Sequence, residues 1–287
     1  MTTLVVALVL GSAVAHASWN ALLKGKRGEP LAASAGLSVA WVVFGAPLLF
    51  VVDAPAPAAW PYLAASVAVH VVYFSLLIAA YRVADLSLVY PIARGTPPLL
   101  VACAGWLFVG EVPSPLGIAG VVMIGLGVLG LGLVRVKPVE GKPSRGRGIA
   151  LAFATAGFIA SYTLIDGLGV RLSGSPMGYV VWLTAVQGAI FAVGALTYGG
   201  PSIRREVWAR RKEGALVGIL SAGGYAVALW AMTLSPIAYI AALRETSVVF
   251  AAVLGAVFLK ESFGRLRVVA AIVVAAGVIA IHLGGPS

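Results

Sequence analysis

Apolar stretches of about 20 residues recur from one end of this chain to the other, and wound as helices they match the thickness of a bilayer core. Nothing else in the sequence constrains the fold as strongly. Backbone groups in hydrocarbon have no water to bond, so a spanning segment must satisfy them itself, as a helix does. A barrel would need alternating apolar and polar residues in segments of about 10. These runs are continuously apolar, which excludes a barrel. The spans are placed at 4–23, 31–52, 60–81, 87–109, 114–134, 148–168, 177–198, 214–234, 237–259 and 265–283. The fold class read from them is an all-α integral membrane protein with ten transmembrane helices. The longest polar pieces, Arg135 to Arg147 and Gly199 to Glu213, are too short to form a domain.

Composition agrees. Of 287 residues, 61% are hydrophobic and 10% charged. A soluble domain carries about 25% charged residues, so this chain cannot coat a surface facing water. The formal charge of +10 does not point to nucleic acid as a partner, because the basic residues sit in short loops between apolar spans. The single cysteine, Cys103, lies in an apolar run and makes neither an intrachain disulfide nor a Cys-based metal site. Near the start, Ala15-His16-Ala17 resembles a signal-peptidase site. However, no basic residue precedes the apolar run Leu4 to Val14, so the segment reads as an uncleaved first helix.

The basic residues set the orientation. Of 20 Lys and Arg, 17 fall in loops after odd-numbered spans, among them Lys24, Lys26, Arg27, Arg82, Arg135, Arg204, Arg205, Lys260 and Arg265. The even loops hold only Arg171, and Arg94 and Arg244 lie within spans. The odd loops are therefore expected in the cytoplasm, with both termini outside the inner membrane.

The chain also repeats itself. At an offset of 150 residues, Arg94 meets Arg244, Thr96 meets Thr246, Glu111 meets Glu261 and Gly127 meets Gly277. Apolar matches are cheap in membrane sequences; matched Arg, Thr and Glu are not. Ala17-Ser18-Trp19-Asn20 lies more weakly over Ala160-Ser161-Tyr162-Thr163. The expected organisation is one five-helix repeat over 1–138, a basic linker over 139–147 and a second repeat over 148–287. An odd number of helices per repeat inverts the second copy in the membrane. Inverted repeats are a common plan of secondary transporters, with the substrate near the midplane.

Ionisable groups at the bilayer centre are costly, about 2.5–3.5 kcal/mol on insertion scales, so they mark cavities or partners. Four stand out: Arg94, Asp166, Arg244 and Glu245. Tyr90 and Arg94 share a helix face, beside Pro91, Pro97 and Pro98, which disturb the helix. Arg94 either binds an anionic group of a substrate, for which a guanidinium fork is suited, or ties a helix-end carbonyl. Arg244, Glu245 and Thr246 are its counterparts. Glu245 is a candidate proton-coupling acid or half of a fixed ion pair between repeats. Asp166, one turn after Tyr162, is expected near the outer end of its helix. His16, Trp19 and Asn20 cluster on the first span, and His can exchange protons near neutral pH. His70 with Tyr73, and Tyr225 with Trp230, are further cavity candidates, each with packing as the bland alternative. Trp41, Trp60, Tyr81 and Tyr198 read as interface belts. Glu111 and Glu261 are expected to accept from free amides at the next helix start. Small residues of the fifth span (Gly117, Gly120, Gly125, Gly127) and tenth (Ala271, Ala275, Gly277) are expected to pack together, or to form a dimer contact.

The run from Asp85 to Gly95, closed by Leu107-Phe108-Val109-Gly110-Glu111, resembles the fourth helix of EamA-type members of the drug/metabolite transporter superfamily. Arg244-Glu245-Thr246-Ser247 through Glu261 is similar to that family's ninth helix. His16 to Lys24 and Tyr162 to Gly167 are similar to the first and sixth helices of one subgroup. The resemblance covers nearly the whole chain. It implies a ten-helix transporter whose central cavity is lined by helices one, three, four, six, eight and nine, with five and ten to one side. It implies no particular substrate. The sequence departs from many family members in its charges, which place the termini outside.

The function expected is transport of a small organic metabolite or drug-like solute, as a permease or efflux protein, by alternating access. The chain has no phosphate-binding loop, so the energy must come from a solute gradient, exchange or protons. No cofactor is expected; the expected partners are the small-molecule substrate, the lipid bilayer and protons as a candidate coupling ion, in a monomer or homodimer. Two other classes compete: a membrane enzyme acting on a lipid-type substrate, and a sensor or scaffold. Three His, one Cys and no His-Glu-x-x-His offer the first little to work with.

Overall fold

The computed structural model describes residues 1–24, 29–83, 86–133, 145–258 and 264–285. Among them all regular structure is helical. The helices are α1 (Thr3–Lys24), α2 (Pro30–Leu48), α3 (Trp60–Val83), α4 (Leu86–Gly95), α5 (Pro97–Ala104), α6 (Pro115–Leu133), α7 (Arg145–Leu172), α8 (Pro176–Tyr198), α9 (Gly200–Ala209), α10 (Arg211–Met232), α11 (Ile237–Glu245), α12 (Ser247–Phe258) and α13 (Arg265–Gly284). A 3-10 turn leads into α3, and a π turn over Gly105–Val109 extends α5. Among the described residues eight segments are long and apolar enough to cross a membrane, and Thr3–Ser18 and Pro115–Leu131 are shorter apolar helices. Large apolar side chains such as Phe108, Ile272 and Leu266 stand exposed on the outside. That is the surface of a helical membrane protein, since no water-soluble monomer carries so much open apolar area.

Two spans are broken. The α4–α5 break falls at Thr96, where Pro97 and Pro98 supply no amide hydrogen to continue the ladder. The α11–α12 break falls at Thr246, whose hydroxyl donates to the Leu243 carbonyl at 2.6 Å. Such back-bonding competes with the helix ladder. The two breaks are the threonines that match at the 150-residue offset.

Segments adjacent in sequence are not always adjacent in space. α1 packs on α10 and α12, α2 on α8, α3 on α7, and α6 on α13. At the α6–α13 crossing a side chain on Gly120 would stand 2.6 Å from the Gly277 carbonyl oxygen, and one on Gly277 2.8 Å from that of Gly120. Backbones this close admit only glycine at the crossing. The core is made by Leu229, Met232, Ile237, Ile240 and Leu243 with Tyr179 and Tyr239, all fully buried.

Several local expectations change. The 199–213 piece, read as a soluble loop, instead forms α9 and the start of α10. Trp41, read as part of an interface belt, donates its indole N–H to Ser221 Oγ at 3.0 Å and the Gly218 carbonyl at 3.2 Å on α10. α7 continues to Leu172, past the expected end at 168. Glu111 caps a helix, but not the next one: its carboxylate accepts the Ile237 amide at the start of α11, at 2.9 and 3.2 Å. It also pairs with Arg171 at 2.6 Å. Arg171 in turn donates to the carbonyls of Met232 (2.8 Å) and Ser235 (3.0 Å). This one knot ties the end of α7, the turn after α10, the start of α11 and the segment after α5. Glu261 lies outside the described residues.

Candidate functional site

The polar residues buried among these helices form two linked groups at the centre of the chain. The first is built on the broken spans. Arg94, in the last turn of α4, reaches Glu245, in the last turn of α11, with Nε 2.8 Å from Oε2. Both side chains are buried. Arg94 Nη2 also lies 3.4 Å from Ser247 Oγ, to which it donates, and 3.5 Å from His16 Nε2 on α1. A guanidinium shared among a carboxylate, a hydroxyl and an imidazole holds α1, α4, α11 and α12 together. Tyr90, one turn before Arg94, is partly buried against the core. Thr246 is buried at the break, its hydroxyl turned back to its own helix.

The second group is built on α7. Asp166 is fully buried rather than at a helix end. Its Oδ1 accepts from the Tyr179 hydroxyl at 3.0 Å, and its Oδ2 accepts from the Tyr225 hydroxyl in a short bond. With the Ser66 hydroxyl as a further donor, these bonds satisfy a carboxylate that burial would otherwise leave costly. Beside it, His70 stacks on Tyr162 with centroids 4.0 Å apart and rings 25° from parallel. His70 Nδ1 lies 2.9 Å from the Ser66 carbonyl and 3.1 Å from its hydroxyl. Tyr73 meets both His70 and Tyr162 edge-on.

Tyr225 and Arg244 join the groups. The Arg244 guanidinium lies 4.9 Å over the Tyr225 ring. Arg244, Tyr225 and His16 line a narrow cleft with Ser12, Ala13, Leu220, Ser221 and Gly224, about 260 Å³ in volume including its mouth. The enclosed part of that space holds no more than about one water molecule, so any organic ligand must spread these helices to enter. Among the described residues Arg244 has no carboxylate partner, because Glu245 faces Arg94 and Asp166 faces the two tyrosines.

The sequence-derived candidates thus divide. His16, Arg94 and Glu245 meet in one group, and His70, Tyr73, Tyr162, Asp166 and Tyr225 in the other, with Arg244 between. Trp230, on α10, packs against the apolar core. The side chains of Trp19 and Asn20 lie outside the described residues. Tyr179, Ser66, Ser12 and Ser221 were not singled out in the sequence. Tyr179 sits 13 residues from Asp166, on the next helix, at no spacing that marks a contact.

Residues 146–283 match the EamA-like transporter family. The second half of the chain belongs to that family. This EamA half carries α7 to α13, and so Asp166, Tyr225, Arg244 and Glu245. The protein is accordingly a multi-pass membrane transporter of the drug/metabolite type. Among solved structures, one crystal structure is 19% identical to this EamA-type chain and superposes with a TM-score of 0.72. The match covers 98% of this chain and 96% of that one, so the fold is shared end to end. No curated protein matches the chain.

Proposed function

We propose that the protein is a secondary transporter that carries a small organic solute through the Arg244 cleft by alternating access. The observation that carries the reading is an arginine on a helix break, facing a cleft and lacking a carboxylate partner among the described residues. A half-buried charge inside a membrane helix is costly and points to a binding site. The architecture is ten spans in two inverted five-helix repeats, over 1–138 and 148–287, joined by the linker 139–147. Its support is the pair of broken spans, which end at threonines 150 residues apart and bring Arg94 against Glu245. The solute leaves as an efflux or permease substrate across the inner membrane. Both termini lie outside the cytoplasm, and the unit is a monomer or homodimer. An enzyme or scaffold would not need the cleft to open on both faces.

That difference supplies the test. Ser221→Cys, placed in a Cys103→Ser background in oriented vesicles, is probed with a membrane-impermeant maleimide from each side. Reaction from both faces is expected. Reaction from one face only would overturn alternating access.

A further inference from the structure

Resting on the transporter reading of this cleft, we propose that it co-binds a small organic carboxylate and one proton, the carboxylate held by Arg244 and the proton taken up by Asp166 through its link to Tyr225.

The charges set the first half. Arg94 and Arg244 are cationic, Glu245 and Asp166 anionic, and with neutral histidines the four sum to zero. The contacts do not balance in the same way. Glu245 is 2.8 Å from Arg94, and Asp166 is held by the neutral hydroxyls of Tyr179, Tyr225 and Ser66. Arg244 rests on a ring face and opens to the cleft. A guanidinium fork fits a carboxylate through two parallel hydrogen bonds, which a neutral amide cannot match. Around Arg244 the cleft is walled by the hydroxyls of Ser12 and Ser221 and the small residues Ala13 and Gly224, the walls that a short body would press apart on entering.

An anion entering alone would leave one excess negative charge in low dielectric, and a proton from solvent removes it. Four sites compete for that proton. On Glu245 it would strand Arg94. On His16 it would add a positive charge 3.5 Å from the Arg94 guanidinium. His70 faces Asp166 from α3 with Ser66 beside it, and its ring is stacked on Tyr162. Among the described residues Asp166 has no cation in contact. Its remaining neighbours are Tyr179 from α8 and Tyr225 from α10, with Arg244 of α11 beyond the Tyr225 ring. Protonated, Asp166 keeps hydrogen bonds to hydroxyls that can also accept. The charge-assisted bond to Tyr225 weakens, and Tyr225 is the ring on which Arg244 rests. The proton site and the anion site therefore share one movable side chain.

The full chain, purified in detergent and weakly buffered at about pH 7 with an indicator dye, is mixed with sodium propionate, lactate or benzoate. All three are ionised there, since free carboxyls titrate near 4. Propionamide and sodium chloride are the controls. Uptake of one proton per bound carboxylate is expected, with none for the amide. Asp166→Asn should bind carboxylate without proton uptake. Arg244→Gln should abolish binding; if it does not fold, Arg244→Lys should weaken binding at least about tenfold, since the ammonium lacks the fork. Glu111→Gln, far from the cleft, should keep normal uptake. No proton uptake with any of the three salts, equal response to propionamide, or uptake retained in Asp166→Asn would overturn co-binding. Such a failure with Ser221→Cys still labelled from both faces rejects co-binding and leaves the transporter reading standing.

Discussion

Glu111→Ala should be among the most destabilising single changes outside the cleft. Two interactions are lost together. The Ile237 amide at the start of α11 loses its acceptor, and removing a helix cap costs about 0.5–2 kcal/mol. Arg171 loses its counterion at 2.6 Å. Breaking a fully buried pair costs about 3–5 kcal/mol, but the Arg171 side chain is 29% exposed and keeps two carbonyl acceptors, so about 1–2 kcal/mol is the better figure. The sum is about 1.5–4 kcal/mol. Glu111→Gln keeps an acceptor for the amide and loses only the charge, so about 1–2 kcal/mol is expected. Unfolding of a membrane protein from detergent is commonly irreversible, and the two variants are therefore compared with the parent at one scan rate by tryptophan fluorescence. For a chain of this size 1 kcal/mol shifts the midpoint by about 2–4 °C. Glu111→Ala should fall by roughly 3–16 °C and Glu111→Gln by about half as much or less. An Ala variant within 1 °C of the parent, or Gln as damaging as Ala, would refute the capping-and-pairing account.

Further outcomes follow from the packing and the ion pair. Arg94→Met and Glu245→Gln should each destabilise strongly, because each leaves the remaining charge of the pair buried and unpaired, and the double variant should recover part of the loss. A double-mutant cycle should give at least about 1 kcal/mol of coupling, and additivity would contradict the pair. Gly120→Val should impair assembly of the α6–α13 crossing, whereas Gly130→Ala, with nothing within 4 Å, should be neutral or stabilising in a thermal melt. Tyr179→Phe removes one of the hydroxyl donors to Asp166 and should cost about 1–3 kcal/mol, with Tyr179→Ala costing more through the cavity it leaves.

Much of this was legible in the sequence because lipid makes charge expensive. Arg94, Arg244, Glu245 and Asp166 stood out for that reason alone, and all four are in or beside the central groups. What the sequence could not assign was their pairing. Arg94 and Arg244 are equivalent at the 150-residue offset, but the next residue is Gly95 in one copy and Glu245 in the other. Gly95 packs against α6, where a side chain would stand 2.9 Å from the Gly125 carbonyl oxygen, while Glu245 reaches across to Arg94. That one difference gives Arg94 a carboxylate and leaves Arg244 facing the cleft. Asp166 was displaced toward a helix end because apolar runs locate helix ends poorly, and α7 runs on to Leu172. Tyr179 was invisible because contacts between helices leave no period in the chain. Trp41 misled for the opposite reason, since an indole suited to an interface is equally suited to a half-buried serine on a neighbouring helix.

The account depends on five spans being followed by an inverted copy, which returns the chain to the face from which it started. Fusing a reporter that is active only outside the cytoplasm to Met1, and separately to Ser287, measures this directly. Activity from both fusions is the expected result. Activity from one fusion and silence from the other would place the ends on opposite faces, and the inverted repeat with its shared cleft would be wrong.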